Sequence, residues 1–272
     1  MKRIAALFAE TRRDGQAVFV PFLAAGDPDV PTATSIAKNV IETCESKGVP
    51  VLLEIGFPYS DPIADGATIQ AAYTRALNRD LHIDDVLETI STLRASTEAP
   101  IVGMVSYSLV HRNGGTTFLS RIQQAGGDGA IIPDLPVEEA EEVWRFGKEN
   151  DFAIVQLIAP TTPLERAKRI LEHASGFVYV LSVAGITGER AQLPEDLAQR
   201  IETLRSHTDL PICIGFGISS PDQVAHVGGI ADGVIVGSAI VRQVANVAPG
   251  DAEGVTSVAG FVSELVAPLA ST

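Results

Sequence analysis

Cysteine is scarce in this chain: two residues among 272, Cys44 and Cys213, far apart and at no metal-ligand spacing. They read as two small apolar core side chains in a reducing compartment, which excludes a cysteine-held metal. Basic residues are also few, 20 Lys and Arg against 34 Asp and Glu, and the formal charge of −14 argues against nucleic acid and anionic membrane surfaces. No apolar run reaches the roughly 18 residues of a membrane span. The opening "MKRIAALFAETRRDG" lacks the apolar stretch and cleavage site of a signal peptide. A soluble, cytoplasmic protein is expected. Histidine is limited to five residues, His82, His111, His173, His207 and His226, on predicted helices and loops and beside no nucleophile at a site position. A Ser-His-Asp triad or a catalytic zinc is therefore not expected. Flavin, nicotinamide and pyridoxal phosphate signatures are absent as well.

What the chain does have is apolar material: 46% of its residues are hydrophobic, ample for a core. That material falls into short runs separated by helical patterns. The predicted strands are 17–26, 51–56, 100–107, 129–136, 152–160, 176–185, 211–219 and 231–240. They are continuous apolar stretches rather than strict alternations, as parallel strands covered by helices should be. None holds a lysine, which argues against a Schiff-base aldolase. Segments such as "VEEAEEVWRFGKEN" (137–150) and "PLERAKRILEHA" (163–174) supply amphipathic helices between them.

Eight strands at a spacing of roughly 28 residues predict an α/β protein, a single (β/α)8 barrel spanning residues 1–272. A short N-terminal amphipathic helix is expected over Ile4–Arg13, with Ile4, Leu7 and Phe8 on one face. A doubly wound open sheet is the alternative, though no dinucleotide fingerprint opens the chain. In a barrel the chemistry sits at the C-terminal strand ends and the loops beyond them. There the sequence places Asp27 after strand one, Asp61 and Asp65 after strand two, and Asp134 at the end of strand four.

Two of these strand ends read as a phosphate site. "IGFGISSP" (214–221) and "VIVGSAIV" (234–241) are consecutive and rich in Gly and Ser. The loops after strands seven and eight of such barrels often cradle phosphate, together with the N-terminus of a short helix. The backbone N–H groups of Gly217, Gly237 and Ser238 are the expected donors, with Gly185 and Gly188 after strand six completing the cup. Neither motif holds Lys or Arg, as suits an acidic protein that binds an anion with backbone dipoles. The alternative is that these glycines only permit tight turns.

In "LLEIGFPYSDPIADG" (52–66) a glutamate interrupts an apolar strand and two aspartates follow it. Glu54 stands between Leu53 and Ile55, so its side chain is expected in the barrel mouth, where burial would raise its pKa and suit it to carry protons near neutrality. Asp65 can reach back over the same mouth, giving two proton-handling groups on different sides of one cavity. The bland alternatives are an ion-paired Glu54 and turn or helix-start roles for Asp61 and Asp65. Asp134 either caps the helix after strand four or orients a group in the mouth, and Tyr179 faces either the ligand or the core.

Taken together, these segments resemble the tryptophan synthase α-subunit family. The resemblance lies in "LEIGFPYSDPIADGATIQ" (53–70), "FVPFLAAGDPD" (19–29), "IIPDLPVEE" (131–139), "GITGER" (185–190), "IGFGISSPDQV" (214–224) and "VGSAIV" (236–241), in the family's order. It implies retro-aldol cleavage of indole-3-glycerol phosphate to indole and glyceraldehyde 3-phosphate. It makes Glu54 the acid–base residue at indole C3 and the glycerol hydroxyl, and Asp65 the carboxylate that steadies positive charge at the indole N–H. Phe22, Asp134 and Tyr179 match residues around the substrate or nearby loop contacts. Thr187 matches a threonine that bonds the catalytic aspartate on loop closure, and Gly188, Gly217, Gly237 and Ser238 match the phosphate cup. The resemblance further implies no cofactor in this chain, with pyridoxal phosphate held only by a β-subunit partner in an α2β2 heterotetramer. The chain departs from the family after strand three, where "VSYSLVHRNGG" (105–115) replaces a Tyr-x-Asn-type sequence at the β-subunit contact. It departs again at Val183-Ala184, where some members are more polar. A stand-alone indole-releasing lyase, another phosphosugar isomerase or epimerase, and a catalytically silent binding subunit are the competing readings.

Overall fold

The computed structural model describes residues 1–62, 65–182, 194–215 and 217–270. In chain order, α1 (Lys2–Asp14) precedes β1 (Val18–Ala24), and α2 (Val30–Ser46) leads to β2 (Leu53–Gly56). Next come α3 (Ala67–Leu77), α4 (Ile83–Arg94), β3 (Ile101–Met104), α5 (Tyr107–Arg112), α6 (Thr116–Gln124) and β4 (Gly129–Ile131). A 3₁₀ turn (Val137–Glu139) and α7 (Glu141–Glu149) lead to β5 (Ala153–Ile158), α8 (Leu164–Leu171) and β6 (Val178–Leu181). The remainder is α9 (Leu197–Arg205), β7 (Ile212–Gly215), α10 (Pro221–Gly228), β8 (Gly233–Val236), α11 (Ser238–Val244), α12 (Ala252–Val266) and a last 3₁₀ turn (Ala267–Leu269).

Each strand pairs in parallel with the next, and β8 returns to β1, so the sheet closes into the expected barrel and leaves no edge. Side-chain alternation sorts the strands into two layers. Phe19 and Leu23 of β1 and Leu53 and Ile55 of β2 pack outward against the helices. Val18, Val20, Leu52, Val102, Ile131, Val155, Phe177 and Ile235 form a separate cluster within the barrel. The outward course of Leu53 and Ile55 leaves Glu54 pointing inward, fully buried. Helix starts are set locally. Asp29 accepts from Thr32 N–H at 2.8 Å with proline in the first turn of α2, Ser220 caps α10, and Asp251 accepts from Gly254 N–H at 2.9 Å to open α12.

The N-terminal helix runs one or two residues beyond its expected bounds at each end, and it plugs the barrel floor. Ile4 and Phe8 are buried in the interior cluster, with the Phe8 ring 6.1 Å from that of Phe177. Burial of that kind contributes roughly 2 kcal/mol per side chain. Two aspartates fix the same floor. Asp128 takes the Ile101 N–H and Arg94 at 3.0 Å each and Arg3 at 3.2 Å; Asp232 takes the Ile212 N–H at 2.8 Å, Arg205 at 2.9 Å and Arg12 at 3.1 Å. Arg3 and Arg12 both belong to α1, so that helix ties the starts of the third and seventh strands together.

Several strands end earlier than their apolar runs suggest. The third was expected over 100–107 but ends at Met104, because Ser106 caps the short helix α5. The fourth was expected over 129–136 but ends at Ile131, where Pro133 offers no N–H to a ladder. Beyond these points Val105, Ile132 and Leu135 still pack in the outer core, and Pro133 lines the barrel mouth. Among the described residues, no helix is long and apolar enough to cross a membrane.

Candidate active site

The mouth of the barrel holds a cavity lined by residues of several strand ends. Its walls are Phe22 from β1, Met104 from β3, Leu157 from β5, Ile235 from β8, Ile69 from α3, and Pro133 and Ile218 from loops. Into this apolar slot project two carboxylates, Glu54 and Asp65, and the phenol-bearing side of Tyr179. Gly217, Gly237 and Ser238, the last opening α11, line it as well.

Glu54 is placed by register. It pairs with Phe22 on one side and Val102 on the other, at the centre of two parallel ladders. Neither carboxyl oxygen has a hydrogen-bond partner among the described residues. Burial, with the nearby Asp65 charge added, pushes its pKa up to about 8. Among the described residues Glu54 therefore has no ion-pair partner. A group so placed is protonated through much of the neutral range and can surrender that proton within the slot.

Asp65 is half-buried, two residues before α3, and its backbone is tied down on both sides. Its N–H donates to Pro62 O at 3.1 Å, and Gln70 Nε2 donates to its carbonyl at 2.7 Å. The Tyr59 phenol donates to its Oδ2 at 3.5 Å. Burial lifts its pKa to about 6; the Tyr59 hydrogen bond works against that rise, and the Asp134 charge adds to it. Two carboxyl groups facing one apolar slot are thus pushed to different values, the separation that acid–base chemistry requires.

Tyr179 resolves toward the cavity while still packing in the interior cluster, and burial keeps its phenol protonated. Its position dictates a glycine on the neighbouring strand. A Cβ at Gly215 would stand 2.6 Å from the Tyr179 hydroxyl. Gly56 has the same relation to Phe22 and Tyr73, whose nearest atoms would lie 2.5 Å from an added Cβ.

The other expected residues divide. Phe22, Gly217, Gly237 and Ser238 line the cavity with the two acids. Asp134 does not: its carboxylate accepts from the Ser106 hydroxyl and the Tyr107 N–H, both at 2.7 Å. It therefore caps α5, the helix after the preceding strand, rather than the helix after its own. Asp61 accepts from Ser60 at 2.6 Å and stays in the exposed loop, as the turn reading held. Asp27 is buried in a two-pronged pair with Arg75, at 2.7 and 2.8 Å. Gly185, Thr187 and Gly188 lie outside the described residues. Both cysteines are free and buried.

Sequence reasoning missed Tyr59 and most of the apolar walls. Leu157 and Met104 could have been found by extending the alternation that places Glu54 and Tyr179 inward. Ile69 and Ile218 carry no such signal. Among the described residues no basic side chain lines the cavity, so an anion beside these glycines would meet backbone N–H groups and the start of α11. Among the described residues no group of three or more His, Cys, Asp or Glu side chains could hold a metal ion.

Comparison with known proteins agrees with this architecture. The family model described as tryptophan synthase alpha chain matches residues 8–268. The tryptophan synthase alpha chain of Rhodopirellula baltica is 45% identical over 90% of this chain and 88% of its own length. That of Chloroflexus aggregans is 42% identical over 98% of this chain and 97% of its own. A solved structure of tryptophan synthase from Mycobacterium tuberculosis superposes with a TM-score of 0.88 at 30% identity, covering 99% of each chain. The chain belongs to the tryptophan synthase alpha chain family.

Proposed function

We propose that this chain is a lyase that cleaves indole-3-glycerol phosphate to indole and glyceraldehyde 3-phosphate. The observation that carries the reading is Glu54: fully buried, without a hydrogen-bond partner among the described residues, and in one apolar slot with Asp65. The bond to be broken joins indole C3 to the glycerol chain. It cannot break while C3 is part of the aromatic ring, so C3 must first become tetrahedral. The Glu54 carboxyl group delivers its proton to C3, and positive charge develops at the indole nitrogen. The Asp65 carboxylate, ionised above its raised pKa, lies where it can hold the indole N–H and stabilise that charge. The Glu54 carboxylate then takes the proton of the hydroxyl on the adjoining carbon. The carbon–carbon bond breaks, its electrons return to the ring, and the aldehyde forms. Glu54 ends as it began, having moved one proton from oxygen to carbon.

Phe22, Met104, Leu157, Ile235 and Tyr179 supply walls for the indole ring, and Gly217, Gly237 and Ser238 supply backbone donors for the phosphate. Gly188 and Thr187 belong to the same reading, the first as a further phosphate donor and the second as a loop partner of Asp65. Asp134 serves it indirectly, by fixing the turn into α5 at the edge of the mouth. The steps are proton transfers, so no cofactor is asked of this chain. A β subunit carrying pyridoxal phosphate is the proposed partner, in a cytoplasmic α2β2 complex that passes indole between sites.

The test is steady-state cleavage of indole-3-glycerol phosphate by the purified chain, with and without a β subunit. Cleavage accelerated by the β subunit is expected, and Glu54→Gln and Asp65→Asn should each remove most of it while glycerol phosphate still binds. Activity unchanged by the β subunit would point to the stand-alone lyase. Full activity in either variant would defeat the assigned roles.

A further inference from the structure

Tyr59 sits in the loop between β2 and α3, half-buried, with its ring centroid 5.9 Å from that of Tyr73 on α3. Its phenol has one proton to give and two carboxylates in its field, Asp65 and Asp134. Asp134 is already occupied by the Ser106 hydroxyl and the Tyr107 N–H. The Tyr59 hydroxyl is aimed instead at Asp65 Oδ2, at 3.5 Å, with the Ser106 hydroxyl also beside it. The titratable groups that face Asp65 among the described residues are Glu54 from β2, Tyr59 from its own loop, Tyr73 from α3, Asp134 from the loop after β4 and Tyr179 from β6. No cation stands among them. Among the described residues, a carboxylate that must stay ionised is therefore surrounded by acids, phenols and apolar side chains, with the Tyr59 phenol the donor aimed at its Oδ2.

We propose that Tyr59 is a positioning residue for the lyase reaction: its phenol keeps the Asp65 carboxylate ionised and aimed into the slot, at the indole nitrogen. The inference rests on the proposed function and adds to it a residue that never touches the reacting atoms. At 3.5 Å the contact exceeds the about 2.5–3.0 Å of a formed O–H···O bond. Catalytic hydrogen bonds are often long before substrate binds and tighten in the substrate complex. Packing against Tyr73, whose ring is tilted by 52° to that of Tyr59, holds the phenol ready for that, because the ring loses this contact if it swings away.

Tyr59→Phe keeps the ring and deletes the donor, so it separates the hydrogen bond from the fold. Removing one donor from a buried carboxylate raises its pKa by about one unit. The acid limb of kcat/KM for indole-3-glycerol phosphate should move up by about that amount, giving about tenfold lower kcat/KM below the limb. The loss should shrink as pH rises, and the Kd for glycerol phosphate should not change. Tyr59→Leu, which also removes the ring, should add a fall in kcat that higher pH does not recover. A second readout needs no turnover: carbon-13 titration of the Asp65 carboxyl should shift upward in Tyr59→Phe. A wild-type protein that cleaves, with a Tyr59→Phe profile and Asp65 titration superimposable on its own, would overturn the assignment. Absence of cleavage by the wild type would sink the lyase reading itself, and the carboxyl titration would still decide whether Tyr59 governs Asp65.

Discussion

Glu54→Gln is expected to stabilise the protein in alkaline solution while removing its chemistry. Glu54 is an acid whose pKa rises on folding from 4.5 to about 8, because burial penalises its charged form. Between those values the folded state holds a proton that the unfolded chain has released. Stability therefore falls as pH rises through that window, and the loss is complete only above the folded value. A rise of about 3.5 units at about 1.4 kcal/mol each sets an upper bound of about 5 kcal/mol. Part of the rise comes from the Asp65 charge, which itself responds to the substitution, so about 3–5 kcal/mol is the working expectation. Glutamine has nearly the same shape and no charge, and its amide meets the same unbonded surroundings as the protonated acid. The two proteins should thus agree within about 1 kcal/mol near pH 5 and diverge steadily toward pH 9, with Glu54→Gln the more stable. Urea unfolding at several pH values measures this, and shared titrations elsewhere cancel in the difference. Parallel stability curves for the two proteins would refute the reasoning, since they would mean that Glu54 ionises in the fold as easily as in the unfolded chain.

Two further substitutions test the packing around the site and beneath it. Gly215→Ala puts a Cβ 2.6 Å from the Tyr179 hydroxyl and should cost about 1–3 kcal/mol while displacing that ring from the slot. A thermal melt and a cleavage assay on the same sample would check both effects, and an unaltered pair of results would show that Tyr179 is not fixed as described. Asp128→Ala deprives the Ile101 N–H of its acceptor and Arg94 and Arg3 of their carboxylate partner on the barrel floor, and should cost about 3 kcal/mol in urea unfolding. Activity per folded molecule should stay the same, because the floor lies at the opposite end of the strands from the mouth.

The sequence made the frame of this protein readable and left its fine joints obscure. The eight strands announced themselves because a parallel barrel buries both faces of each strand, so their sequences are apolar throughout. Their ends were hidden for the same reason. After Met104 and Ile131 the apolar composition continues without forming strand, with Val105, Ile132 and Leu135 packed in the outer core and Pro133 in the cavity wall. Glu54 was legible as a charge in a place that tolerates none, and the alternation around it fixed its direction. Asp134 misled, since an acid beside a strand end looks like a cap for its own helix, whereas the closed barrel brings it to the start of the helix before. Tyr59 could not be read at all. Its significance depends on where Asp65 and Asp134 come to rest, which is a matter of folding across the mouth rather than of local pattern.

The pH dependence of kcat/KM for indole-3-glycerol phosphate bears most directly on the claim that a proton-holding Glu54 and an ionised Asp65 share one apolar slot. A bell is expected, with an acid limb near the value of about 6 to which Asp65 is raised and a basic limb near the value of about 8 to which Glu54 is raised. A profile flat from about pH 5 to pH 9, or one whose limbs persist in active Glu54→Gln and Asp65→Asn proteins, would contradict it.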